Sequence, residues 1–184
     1  MNALRAEIGK LVTLPSLWIT AGLTWAVTLL LRAVGLPGPV LEHTRAGLLV
    51  FGVLAAAHEY QGGRQIRATL LATPRRVPLV ITKTVALTVV AAPVAGVVAV
   101  TAGEAAVPEL ILSVLVAAGV GGLVRRAVAA TGIVLVAFVI VDPLLTARFP
   151  AAARWLPDAA WPAALAWAAA LVAVWAAALR HRDA

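Results

Sequence analysis

The chain has 184 residues, 62% of them hydrophobic and only 12% charged, against roughly half apolar and a quarter charged in a typical soluble domain. So few polar residues cannot cover a water-facing surface, so lipid is the solvent for most of the chain. The reading is an all-α polytopic membrane bundle, a single transmembrane domain over 1–184. The net charge of +7 is carried between apolar runs, which reads as membrane orientation and excludes nucleic-acid binding, and the absence of cysteine excludes disulfides and thiolate chemistry.

The pattern begins with a short amphipathic helix. Leu4, Ile8, Leu11 and Val12 share one face, while Arg5, Glu7 and Lys10 point elsewhere. A helix over 3–14 lying in the interface, bent by Pro15 into the first span, makes an elbow. The frayed start of one long helix is the alternative. The apolar run from Leu11 to Leu31 is longer than a signal-peptide core and no small-residue cleavage site follows, so it reads as a retained helix.

The first span is expected over about 16–34, closed by Gly35, Pro37, Gly38 and Pro39. The second, at 40–58, is the weakest: only 46–57 is cleanly apolar. Glu42 and Arg45 are spaced i, i+3 and could pair, or Arg45 could snorkel outward; a re-entrant segment is the alternative to a full crossing. The third span is expected over 77–101, with Lys83 snorkelling to the near end. An acidic turn with Glu104 and Glu109 leads to the fourth span at 107–124, which Arg125 and Arg126 stop. The fifth is expected over 127–141, ending at Asp142 and Pro143, with 142–160 as an outer segment. The sixth covers 161–179 and a basic tail follows.

Six spans with an inside N-terminus place Arg5, Lys10, Arg64, Arg67, Arg75, Arg76, Arg125, Arg126, Arg180 and Arg182 in the cytoplasm. The opposite loops hold only Arg32, Arg45, Arg148 and Arg154. That bias puts both termini in the cytoplasm of a multi-pass protein of the cell membrane. Trp18, Trp155 and Trp161 fall at expected interfaces, and Trp25, Trp167 and Trp175 fall inside runs as packing residues.

Catalytic signatures are missing. There is no P-loop, no His-Glu-x-x-His and no nucleophile–base pair, so the chain reads as a non-enzyme with no cofactor and no metal. No mid-span carboxylate suggests a proton relay, and no acidic or aromatic cage points to a cargo. One loop carries more than orientation charge. In 58–76, Ile66, Leu70 and Thr73 recur at i, i+4, i+7, with Gly62 and Gly63 before them and Pro74 as a stop. This predicts a short helix across the cytoplasmic mouth, whose apolar ridge wants a groove on a partner.

Three blocks resemble the membrane subunit of ABC-2 type ABC transporters, the small actinobacterial exporter permeases above all. They are the elbow LRAEIGKLVTLPSLW, the loop HEYQGGRQIRATLLATPRR and the stretch AAGVGGLVRRAVAATGIVLV. The second is the most specific. The resemblance implies a six-helix half-transporter that forms the translocation path, pairs with a second permease copy, identical or not, and docks a separate ABC ATPase subunit. By matching position, the coupling segment 59–76 would use Glu59, Tyr60, Ile66, Arg67, Thr69, Leu70, Pro74, Arg75 and Arg76. Arg64 is an extra position within it, lengthening the interval from Tyr60 to Ile66 by one. Ile66 and Leu70 would enter the ATPase groove, with Glu59 and Arg67 making charged contacts. The other readings are a non-transport membrane scaffold or assembly protein, which leaves the ridge unexplained, and a channel or secondary transporter.

Overall fold

The computed structural model describes residues 3–35, 37–60, 76–157 and 160–182. These residues form helices and turns, with six helices long and apolar enough to cross a membrane. The elements are α1 (Ala3–Val12), α2 (Pro15–Val34), α3 (Val40–Ala57) with a 3-10 turn at His58–Tyr60, α4 (Arg76–Ala102), α5 (Val107–Val124), α6 (Ala127–Leu135), a π-helical stretch Val136–Val141, α7 (Asp142–Arg148), α8 (Pro150–Ala153) and α9 (Trp161–Arg182). The chain is a helical membrane bundle. One end of it carries α1, the turn after α3 and the α5–α6 junction; we call it the elbow end. The end of α2, the start of α3, the α4–α5 turn and α7 lie together at the far end.

The middle of the bundle is α5, with α3 on one flank and α9 on another. Small residues permit this. A Cβ on Gly121 would stand 2.9 Å from the Val53 carbonyl oxygen, and one on Gly52 would run into the Val114 carbonyl, so α3 and α5 meet backbone to backbone. On the α9 side, a Cβ on Gly119 would stand 2.7 Å from Leu171 Cβ, and Gly122 faces the Trp175 ring. The small face of α5 is thereby turned inward: Ala118 is buried, and α9 covers Gly119 and Gly122.

The remaining spans form an outer layer. In α2 only Leu17, Ala21, Thr24 and Thr28 are buried, one stripe at helical spacing. Their hydroxyls are satisfied locally, Thr24 donating to the Thr20 carbonyl at 2.7 Å and Thr28 to that of Thr24 at 2.8 Å, as burial in an apolar bundle requires. The opposite face of α2 exposes Ile19, Leu23 and Leu30, and Val128, Ile140 and Leu144 stand out from the fifth span. In a membrane protein these faces meet lipid.

Three expectations change. The fifth span does not end at Val141: helix continues through the π-helical stretch to Arg148. Pro143 lacks an N–H and its ring would crowd the carbonyl four residues back, and the wider turn just before it makes room. Of the three Trp read as packing residues, only Trp175 is buried. Trp25 and Trp167 are half-exposed and donate to the Thr101 hydroxyl and the Trp155 carbonyl. The elbow helix ends at Val12, and that residue is exposed. Gly35 ends α2 as expected, in the left-handed region at φ 68°, its N–H bonded to the Arg32 and Leu31 carbonyls.

Candidate functional site

At the elbow end, α1 packs on α4 through Leu4, Ile8 and Leu11. Glu7 lies on the same stripe, three residues after Leu4 and four before Leu11, and is buried with them. Around it gathers a charge-balanced cluster. Lys83 Nζ donates to Glu59 Oε1 at 2.5 Å and to Glu7 Oε2 at 2.8 Å. Lys10 Nζ donates to Glu7 Oε1 at 2.7 Å and reaches Glu59 Oε1 at 3.4 Å. Two ammoniums thus bridge two carboxylates from three elements, with Glu59 only 3% exposed. Burial alone would raise the Glu7 carboxyl, but the charge of Lys83 and the bonds from Lys10 and Lys83 hold it below its ordinary value. Burial would likewise lower the Lys10 ammonium, and Glu7 and Glu59 hold it above its ordinary value.

Lys83 therefore does not snorkel outward; it turns inward to two carboxylates, which supply the partners a buried ammonium needs. Glu59 likewise spends its carboxylate within the bundle. Tyr60 is held on two sides: its hydroxyl accepts from Trp175 Nε1 at 3.2 Å, and the Arg125 guanidinium stands 5.1 Å from its ring centroid. Arg125 adopts φ 60°, which only glycine takes without cost, and closes the α5–α6 junction over that ring. Arg76 opens α4. Arg64, Ile66, Arg67, Thr69, Leu70, Pro74 and Arg75 lie outside the described residues. The structure thus brings Glu59 and Tyr60 together with the bundle, at the root of the segment.

A second polar group gathers at the far end, around a cavity of about 770 Å³ between α3, α5 and the fifth span. Arg45 crosses inward, not outward: its Nε donates to Ser113 Oγ at 2.8 Å and its guanidinium lies 5.3 Å from the Phe138 ring centroid. Asp142 is 5% exposed, and neither of its oxygens has a hydrogen-bond partner among the described residues; the same holds for Glu109 Oε2. Glu104 is used differently, accepting from the Leu41 N–H at 3.2 Å and so capping α3 in place of Pro39, which offers no side-chain cap.

No protein-family model, no curated protein and no solved structure matches the chain.

Both clusters join residues far apart in sequence. Glu7, Glu59 and Lys83 each look like an isolated interfacial charge. Glu7, expected to point away from the apolar face, is instead buried on it, and its place three residues after Leu4 and four before Leu11 is the one local feature that accounts for this. The far-end cage had no local signal, because Arg45, Glu109 and Asp142 come from three different spans.

Proposed function

We propose that the chain is the permease subunit of an ATP-driven ABC exporter, forming the translocation path and coupled through segment 59–76 to a separate ATPase subunit. The observation that carries the reading is the charge cluster. Glu59 stands just before the segment 61–75 and Lys83 in the second turn of the helix after it, and their 2.5 Å contact ties its two roots together. Glu7 and Lys10 tie both roots to the elbow. A push on the segment is thereby delivered to α1, α3 and α4 as one body, which is what a coupling element between a motor and a bundle requires. The resemblance of 58–76 to the family's coupling segment and the lack of a P-loop in the sequence agree with it.

In this reading the elbow end is cytoplasmic, as the basic residues Arg5, Lys10, Arg125, Arg126 and Arg180 favour. The bundle sits in the cell membrane with both termini inside. Ile66 and Leu70 enter the ATPase groove, while Glu59 anchors the segment from behind and Arg67 supplies its charged contact. A second permease chain, identical or not, completes the path and meets this one through a surface other than Ala118, Gly119 and Gly122, which α9 fills.

The test is affinity purification of the tagged chain from its native membranes, as wild type and as Leu70→Asp. Wild type brings down a P-loop ATPase and ATP hydrolysis, and the variant, at equal membrane abundance, brings down neither, since a charge in an apolar pocket costs about 2–4 kcal/mol. Equal recovery of the ATPase with both chains would remove segment 59–76 as the joint.

A further inference from the structure

We propose that the far-end cavity is a binding site for a drug-sized organic cation, its amine or ammonium group seated on Asp142 and Glu109 and its apolar body against Phe138 and Leu110.

A carboxylate accepts up to about four hydrogen bonds, and a buried one left without any is strongly disfavoured. Asp142 is 5% exposed, lines the cavity and has no hydrogen-bond partner for either oxygen among the described residues. Glu109 Oε2 lines the same cavity in the same condition. The available cation does not relieve them. Arg45 attracts both carboxylates through space, yet its Nε is committed to Ser113 and its guanidinium lies over Phe138. The site is thus wired to hold these carboxylates in place without closing on them.

The sign of the ligand follows from the lining. Glu42, Glu104, Glu109 and Asp142 face the cavity against the single guanidinium of Arg45, so the field selects a cation. The body of the ligand follows from the walls. Leu41, Leu110, Phe138, Val139 and Pro143 make most of the surface apolar, and about 770 Å³ falls within the size range of pockets for drug-sized molecules. An inorganic ion does not fit this description: no group of three or more His, Cys, Asp or Glu side chains among the described residues could hold a metal. The π-helical stretch Val136–Val141 builds the cage. Its wide turn, with the Asp142 N–H bonded to the Ala137 carbonyl, sets Phe138 and Asp142 on the cavity side.

As a binding site the cavity stands by itself; as a cargo site it rests on the permease reading. The first experiment uses only the full chain, in lipid nanodiscs, titrated with the fluorescent cation ethidium and, separately, with the anion fluorescein. Wild type binds ethidium and not fluorescein. Asp142→Asn and Glu109→Gln, each near-isosteric and each eluting as wild type by gel filtration, weaken ethidium binding about tenfold, the loss of one charge-assisted contact. No ethidium binding above protein-free nanodiscs, or undiminished binding in both variants, overturns the proposal. Ethidium efflux from cells carrying the chain with its ATPase is the second measurement. Binding without efflux leaves the site standing and removes the cargo role; co-purification of the ATPase without binding leaves the permease reading standing and removes the site.

Discussion

Replacing Lys83 by Met keeps most of the side-chain volume and removes the ammonium that joins Glu59 at 2.5 Å and Glu7 at 2.8 Å. Breaking a buried pair by deleting one partner costs about 3–5 kcal/mol, because the other charge is left uncompensated. Lys10 stays within 2.7 Å of Glu7 and 3.4 Å of Glu59, and its side chain is 27% exposed and can adjust. That compensation brings the expected loss to about 2–4 kcal/mol. Glu59→Gln alone leaves Lys83 with Glu7 and should cost less, about 1–2 kcal/mol. The double variant removes both the charge and its orphaned partner, so it should be less destabilised than the sum of the singles by at least about 1 kcal/mol. The assay is reversible denaturant unfolding in mixed micelles for the four corners of the cycle. Additivity within about 0.5 kcal/mol, with each single below about 1 kcal/mol, would show the cluster to be no stronger than a surface ion pair and would refute the clamp.

The same cluster sets a pH window. Glu7 is held below its ordinary value of 4.5, so its contribution is complete above that pH and is lost as pH falls through the lowered value. Lys10 is raised above 10.5, so its contribution is complete below that pH and is lost as pH rises through the raised value. Thermal unfolding against pH should show a plateau between these limits, with the acid limb flattened in Glu7→Gln; an unchanged acid limb would count against the role given to Glu7. Packing gives a contrast: Gly52→Ala pushes a Cβ into the Val114 carbonyl and should cost about 1–3 kcal/mol, whereas Gly22→Ala meets nothing within 4 Å and should gain about 0.5–1 kcal/mol of helix propensity. Equal unfolding midpoints for these two variants would contradict the close α3–α5 contact. Because the sequence holds no cysteine, Ala105→Cys and Arg126→Cys can be labelled singly; both are exposed and lie at opposite ends. An impermeant maleimide on intact cells should react with Ala105→Cys alone, and the reverse pattern would invert the proposed orientation.

The spans were legible because lipid writes its requirement as composition: long apolar runs bounded by glycine, proline and arginine leave little choice. The second span was hard to read because Glu42, His43 and Arg45 shorten its apolar run, yet Val40–Tyr60 forms a span-length helix. Its polar start is absorbed by neighbours, Glu104 capping Leu41 and Ser113 accepting from Arg45. Such partners belong to other helices and cannot be read from a local window. The fifth span was cut short because Asp142 and Pro143 resemble a helix stop; the register change that tolerates them, Val136–Val141, has no signature in residue type. The two candidate sites failed to show for one shared reason. Every charge in them, Glu7, Lys10, Glu59 and Lys83 at one end and Arg45, Glu109 and Asp142 at the other, stands near the end of an apolar run, where orientation and snorkelling already account for charge. Apart from Glu7, whose place on the Leu4–Leu11 stripe is a local feature, only packing shows that they point inward.

The most direct test of the proposed permease role is photo-cross-linking from the ridge itself. A photoreactive amino acid placed at Leu70, with a second chain carrying it at Ile19 on the exposed face of α2 as a control, is irradiated in native membranes. Position 70 should capture a nucleotide-binding ATPase, and position 19 only lipid. Capture of lipid alone from position 70, in membranes where the chain is abundant, would contradict it.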